Sequence, residues 1–180
     1  MQPDSHDPLD LFPNWLQSLA SDARVFAQAL CDARLATEER IWLAAALNYL
    51  LKSVDLIPDG VEDLGFLDDA FVVRRAALEV LRQGGQAGEH YPDVGRLGSE
   101  AVDVNEFLGP HADRLGEYVS GLRIASVRGR SPSDIVEDEN LASQVADEAS
   151  SWAESYVGPA FLRDEKTLVK LRAFLATKLA

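Results

Sequence analysis

The sequence predicts an all-α fold, a helical bundle of six or seven helices around a central antiparallel helix pair, and three observations predict it. Residues 41–51 are apolar nearly all round, as the buried central helix of a bundle is. A second apolar run follows across a short link holding Pro58, Gly60 and Gly65, residues that stop a helix and permit a tight reversal. Elsewhere apolar residues recur at three- and four-residue spacing, and no stretch alternates with the two-residue period of a strand.

In chain order, residues 1–13, with Pro3, Pro8 and Pro13, read as a loose arm. A first helix over residues 14–33 presents Trp15, Leu16, Leu19, Ala23, Phe26 and Leu30 on one face. Thr37 before Glu38 and Glu39 reads as the N-cap of a second helix, residues 38–52, with acids in the positive first turn. Asn48 interrupts that apolar helix and is expected to bond a group in the following turn or the next helix, because an unpartnered buried amide costs about 1–3 kcal/mol. The third helix runs from Gly65 or Phe66 to Gln83, with Arg75 and Glu79 as an i,i+4 pair. Its stripe of Val72, Val73, Ala76 and Val80 turns Asp69 inward and leaves Asp68 nearer the edge.

Residues 14–83, holding the pair at 41–81, form the expected helical core, and the glycine-rich stretch 84–93 reads as a linker. Residues 94–180 form a C-terminal helical extension packing on the core or on a partner, with helices over 94–107, 111–127, 132–157 and 164–179. Ser131, Pro132 and Asp134 give the third of these a strong start, and Leu168, Leu171, Leu175 and Leu179 share one side of the last.

Composition narrows the function. At 180 residues with 47% hydrophobic content the chain can bury a real core, and a net charge of −13 argues against nucleic acid, which is bound by clustered Lys and Arg. The single cysteine, Cys31, excludes an internal disulfide and a cysteine zinc cluster. The polar, acidic start of the chain lacks the basic and apolar regions of a signal peptide, and no apolar window approaches the roughly 20 residues that span a bilayer. A cytoplasmic protein is expected, with membrane contact disfavoured because anionic lipid repels an acidic surface.

The link between the paired helices carries Asp55, Asp59, Glu62, Asp63, Asp68 and Asp69. Asp55-Leu56-Ile57-Pro58-Asp59, then Leu64-Gly65 and the twin Asp68-Asp69, with Leu47-Asn48-Tyr49-Leu50-Leu51 ahead, resembles the YkvA family of domains of unknown function over residues 41–81. Lys52-Ser53-Val54 departs from the family's common Ser-Pro, and Val61-Glu62-Asp63 replaces a more apolar spacer. The resemblance implies a compact helical domain and no assigned activity.

Two readings of the carboxylates compete. Asp55, Asp59, Asp68 and Asp69 are candidate ligands for a hard divalent cation, Mg2+, Mn2+ or Ca2+, since such ions take oxygen donors. The favoured reading is structural, with Asp55 and Asp59 folded onto turn amides and Asp68 and Asp69 in the positive first turn of the third helix. His6, His90 and His111 are scattered, Cys31 has no recognisable base, and no phosphate-cradling glycine loop is present, so no catalytic residue and no cofactor are assigned. Arg123, Arg128 and Arg130 read as a solvated helix end. The expected function is a non-enzymatic interaction or scaffold module that meets an unidentified protein partner or a second copy of itself. A metal-binding protein or metal-dependent hydrolase is the first alternative, and a peripheral membrane protein the second.

Overall fold

The computed structural model describes residues 6–52, 55–61 and 64–180. Ser53, Val54, Glu62 and Asp63, and the first part of the expected N-terminal arm, lie outside the described residues. The chain is all-α, and among the described residues β-structure is limited to one isolated bridge between Val127 and Arg130. The helices are α1 (Pro8–Leu30), α2 (Thr37–Leu51), α3 (Leu67–Arg82), α4 (Ala87–His90), α5 (Pro92–Leu108), α6 (Ala112–Leu122), α7 (Pro132–Glu137), α8 (Glu139–Ser155) and α9 (Glu165–Lys178). A 3-10 turn, Gly109–His111, separates α5 from α6.

Helix α2 is the centre. Every residue of the run 41–51 is buried, Asn48 included, because α1, α3, α6, α7 and α8 all pack against it. Helix α3 lies against α2 on one side and α5 on the other, and α8 closes over α1. One hydrophobic cluster runs from Phe12 in α1 to Leu179 after α9, so residues 94–180 contribute Val104, Phe107, Val145, Leu171 and Leu175 to the same core as α2 and α3. Phe12, Trp15, Phe71 and Phe107 bring α1, α3 and α5 together, with ring centroids 4.9 Å apart for Phe12 and Phe107. No helix of the described residues is long and apolar enough to cross a membrane.

Several local expectations change. Helix α1 begins at Pro8, well ahead of Asn14, because Asp7 accepts the Leu9 amide at 2.9 Å and Pro8 takes the first helical position. Thr37 is the first residue of α2 and Ala36 its cap; buried Glu39 reaches back to the Ala36 amide at 2.9 Å. The other Glu39 oxygen accepts the Ala87 amide, also at 2.9 Å, which ties the glycine-rich stretch to α2. A Cβ at Gly85 would sit 2.3 Å from the Glu39 carboxyl carbon, so glycine is what admits this approach. The expected helix 132–157 breaks at Asp138, whose extended backbone and side chain cap α8 by accepting the Asn140 amide. Ser131 and Asp134 cap α7 reciprocally, as their spacing predicts.

A buried ion network locks α1, α3 and α5. Arg74, fully buried, lies over the Trp15 ring, donates to Glu100 at 2.8 Å, and stands 3.8 Å from Asp22. Asp22 accepts from Arg96 at 2.8 Å and from Ser18 at 2.9 Å. Burial lowers the Arg74 pKa to about 10 despite its acidic neighbours, and burial raises that of Asp22 against the pull of Arg74 and Arg96.

Candidate acidic-turn site

The turn between α2 and α3 is held by its own backbone. The Val61 amide bonds the Pro58 carbonyl at 2.9 Å, and the Gly65 amide bonds the Val61 carbonyl at 2.9 Å. A Cβ on Gly65 would lie 2.4 Å from the Asp59 carbonyl oxygen, so the chain can fold back on itself only with glycine there. Phe66, in the left-handed region at φ 66°, redirects the backbone into α3.

Asp68 is the pivot of this turn. Its Oδ2 accepts the Tyr49 hydroxyl from α2 and the Ile57 amide at 3.0 Å, while the Tyr49 oxygen accepts the Leu56 amide at 2.9 Å. Both Asp68 and Asp69 are buried, 1% and 2% exposed, so Asp68 does not lie at the edge as the helical stripe predicts. The cause is Tyr49, whose hydroxyl reaches across from α2 and gives the carboxylate a buried partner.

The four candidate aspartates therefore separate. Asp55 is half-buried and Asp59 is exposed at the mouth of the turn. Asp55 Oδ1, Asp68 Oδ1 and Asp69 Oδ2 are buried without a hydrogen-bond partner. Burial, then the charges of Asp68 and Asp59, raises the Asp55 carboxyl to about 7 against the pull of Lys52. Asp69 is raised well above the ordinary carboxyl range by burial and by the charges of Asp68, Asp55 and Asp59. Burial also raises Asp59 and Asp68; for Asp68 the bonds from Tyr49 and Ile57 oppose it. Among the described residues, no three carboxyl, imidazole or thiol groups converge closely enough to cage a metal ion.

The rim adds residues that the sequence reading leaves unmarked. Lys52, half-buried at the end of α2, donates to the Tyr118 hydroxyl at 2.7 Å and lies 4.1 Å from the Tyr49 ring centroid. Burial depresses its pKa even though Asp55, Asp68 and Asp69 pull the other way. Burial and the same acids raise Tyr118 to about 12. Tyr156, following α8, packs edge-on against Phe66 and has its hydroxyl raised by burial and by the charges of Asp69 and Asp59. Tyr49 and Lys52 flank the turn in sequence and could have been marked from proximity alone. Tyr118 and Tyr156 carry no local signal.

The remaining candidates disperse. Asn48 bonds neither the turn nor α3; its amide donates to the Arg130 carbonyl at 3.2 Å and ties the loop after α6 to α2. Arg130 is buried and paired with Glu148 at 2.5 Å, and Arg123 lies over the Trp42 ring, so these two are packed rather than a solvated helix end. His6 bonds Asp103, and His90 bonds Gln86. Cys31 is exposed.

Residues 39–73, which are α2, the turn and the first part of α3, match a family described as a protein of unknown function, DUF1232. The matched segment is the one that carries Tyr49, Asp55, Asp59, Asp68 and Asp69. No curated protein matches the chain, and neither does any solved structure.

Proposed function

We propose that the chain is a non-enzymatic interaction module of the YkvA type, with the acidic turn as its structural hub and the C-terminal helices as its partner surface. The observation that carries this reading is Asp68 Oδ2, which accepts from Tyr49 of α2 and from Ile57 of the turn. A carboxylate committed to two buried donors across two elements is holding a fold, and it is poorly placed to shuttle protons to a substrate. The apolar side chains assigned to the partner are Val157 and Leu162, exposed between α8 and α9, and Val169, exposed on α9.

The test is a thermal melt of Asp68→Asn and Tyr49→Phe in chelator and again in Mg2+. Equal loss of stability in both conditions supports the hub. A variant that keeps its melt and loses only a cation-dependent shift would make Asp68 a ligand and overturn this role. Leu162→Asp with Val169→Asp should leave the melt unchanged; if the partner is a second copy, sedimentation should show the loss of concentration-dependent association.

A further inference from the structure

Helix α9 is basic in an acidic chain. Residues 163–180 hold five cations and two acids, with three of the four lysines among them, whereas residues 1–162 hold 12 cations and 28 acids. Lys166, Val169, Lys170, Ala173 and Thr177 recur at three- and four-residue spacing and are all exposed, so they form one outward stripe. Just ahead of α9, residues 131–162 hold seven acids and no cation. Asp147 and Glu154 lie about two turns apart on the exposed side of α8. Among the described residues, the ion pairs of residues 131–180 are those of Glu148 with Arg128 and Arg130 and of Arg163 with Asp10. The lysines of α9, like Asp147 and Glu154 of α8, therefore have no ion-pair partner there.

We propose that a second copy of this chain covers α9, with the basic stripe of each copy on the acidic side of the other copy's α8 about a twofold axis. The inference rests on the reading of the C-terminal helices as the partner surface and names what meets them. One chain carries both halves of the contact, so a twofold pair makes it twice, and a single helix-on-helix contact is small for a stable complex. Val157 and Leu162, 82% and 56% exposed, lie in the chain between the acidic and the basic stretch, and Val169, 61% exposed, stands between Lys166 and Lys170. These side chains give the contact an apolar centre with charge around it. An anionic bilayer or a nucleic acid fits less well, because the acids of residues 1–162 repel a polyanion.

Sedimentation equilibrium of the full chain should show a monomer in exchange with a dimer, its Kd weakening by about tenfold or more between about 50 mM and about 500 mM NaCl. Two variants test the pairing, Lys166→Glu with Lys170→Glu on α9 and Asp147→Lys with Glu154→Lys on α8. Each alone should be monomeric at concentrations where the unaltered chain is dimeric, with its helical circular dichroism retained. Mixed in equal amounts they should dimerise again, because each α9 then meets an α8 of opposite charge. A mixture that stays monomeric would overturn the pairing of α9 with α8, and assembly beyond the dimer would overturn the twofold axis. Dimers that persist in both variants alone would place the contact elsewhere and remove the C-terminal partner surface as well. An unaltered chain that is monomeric at every concentration would sink the second copy, and loss of its binding to phosphatidylserine vesicles in Lys166→Glu with Lys170→Glu would then assign the stripe to a membrane.

Discussion

The hydroxyl of Tyr49 donates to Asp68 Oδ2 and accepts the amide of Leu56, so one phenol joins α2, the acidic turn and α3. Removing it leaves the Leu56 amide without its acceptor and Asp68 Oδ2 with the Ile57 amide alone. Tyr49→Phe should cost about 1.5–3 kcal/mol, the range for a hydrogen bond to a charged group. At about 2–4 °C per kcal/mol for a chain of this size, a thermal melt should resolve the loss. A melt unchanged within error would remove the phenol from the fold's support.

Two glycines of the same turn should behave in opposite ways. A Cβ on Gly65 meets the Asp59 carbonyl at 2.4 Å, whereas one on Gly60 meets nothing within 4 Å. Gly65→Ala should therefore destabilise by about 1–3 kcal/mol, as forced overpacking does. Gly60→Ala should be neutral or stabilise by about 0.4–1 kcal/mol through the unfolded state. Urea denaturation of the pair would show whether the close approach exists in solution.

The buried network predicts an asymmetry between disruption and replacement. Arg74→Ala leaves Arg96, among the described residues, as the one cation paired with Asp22 and Glu100, removes the stack on Trp15, and should cost about 3–5 kcal/mol. Arg74→Met with Asp22→Asn keeps most of the volume, removes the fully buried acid and leaves Glu100 paired with Arg96, and should recover a large part of that loss. Denaturant midpoints of both variants test this, and equal losses would show that packing, not charge, sets the cost.

Stability should fall as pH rises through neutrality. Asp55 is raised to about 7 and Asp69 well above the ordinary carboxyl range, so the folded chain holds protons that the unfolded chain releases above about pH 4. Their contribution is fully present below the unfolded pKa and is lost as pH rises through the folded one. Asp134 and Glu148 are shifted the other way, by bonds from Ser131 and from Arg130, and their contribution is lost only as pH falls through their lowered values. Melting temperature should thus decline from about pH 5 to about pH 8, and Asp55→Asn or Asp69→Asn should flatten that decline. A flat profile in the unaltered chain would show that these carboxyls ionise freely.

Much of the scaffold was legible because its signals are local. The all-round apolar run of α2, the Ser131-Pro132 start of α7 and the leucine side of α9 each state an element within a few residues. Boundaries shifted where a cap competed with a periodicity, as at Asp7 ahead of α1 and Asp138 inside the expected third C-terminal helix. Asn48 was legible as a buried amide in want of a partner, while its partner, Arg130, lies 82 residues away.

For the candidate site, residue types and spacing marked the acidic turn, and the match over residues 39–73 falls on the same stretch. Spacing did not separate Asp68 from Asp69, because a helical wheel knows nothing of the tyrosine that reaches over from α2.

By itself, the sequence determined an acidic all-helical protein, its central helix pair and the stretch in which its carboxylates gather. These follow from periodicity, turn residues and composition, which act between near neighbours. Only the tertiary structure decided which carboxylates are buried, which have donors, and that Lys52, Tyr118 and Tyr156 surround them. Burial and charge depend on what distant segments bring to the same place, and no local pattern records that convergence.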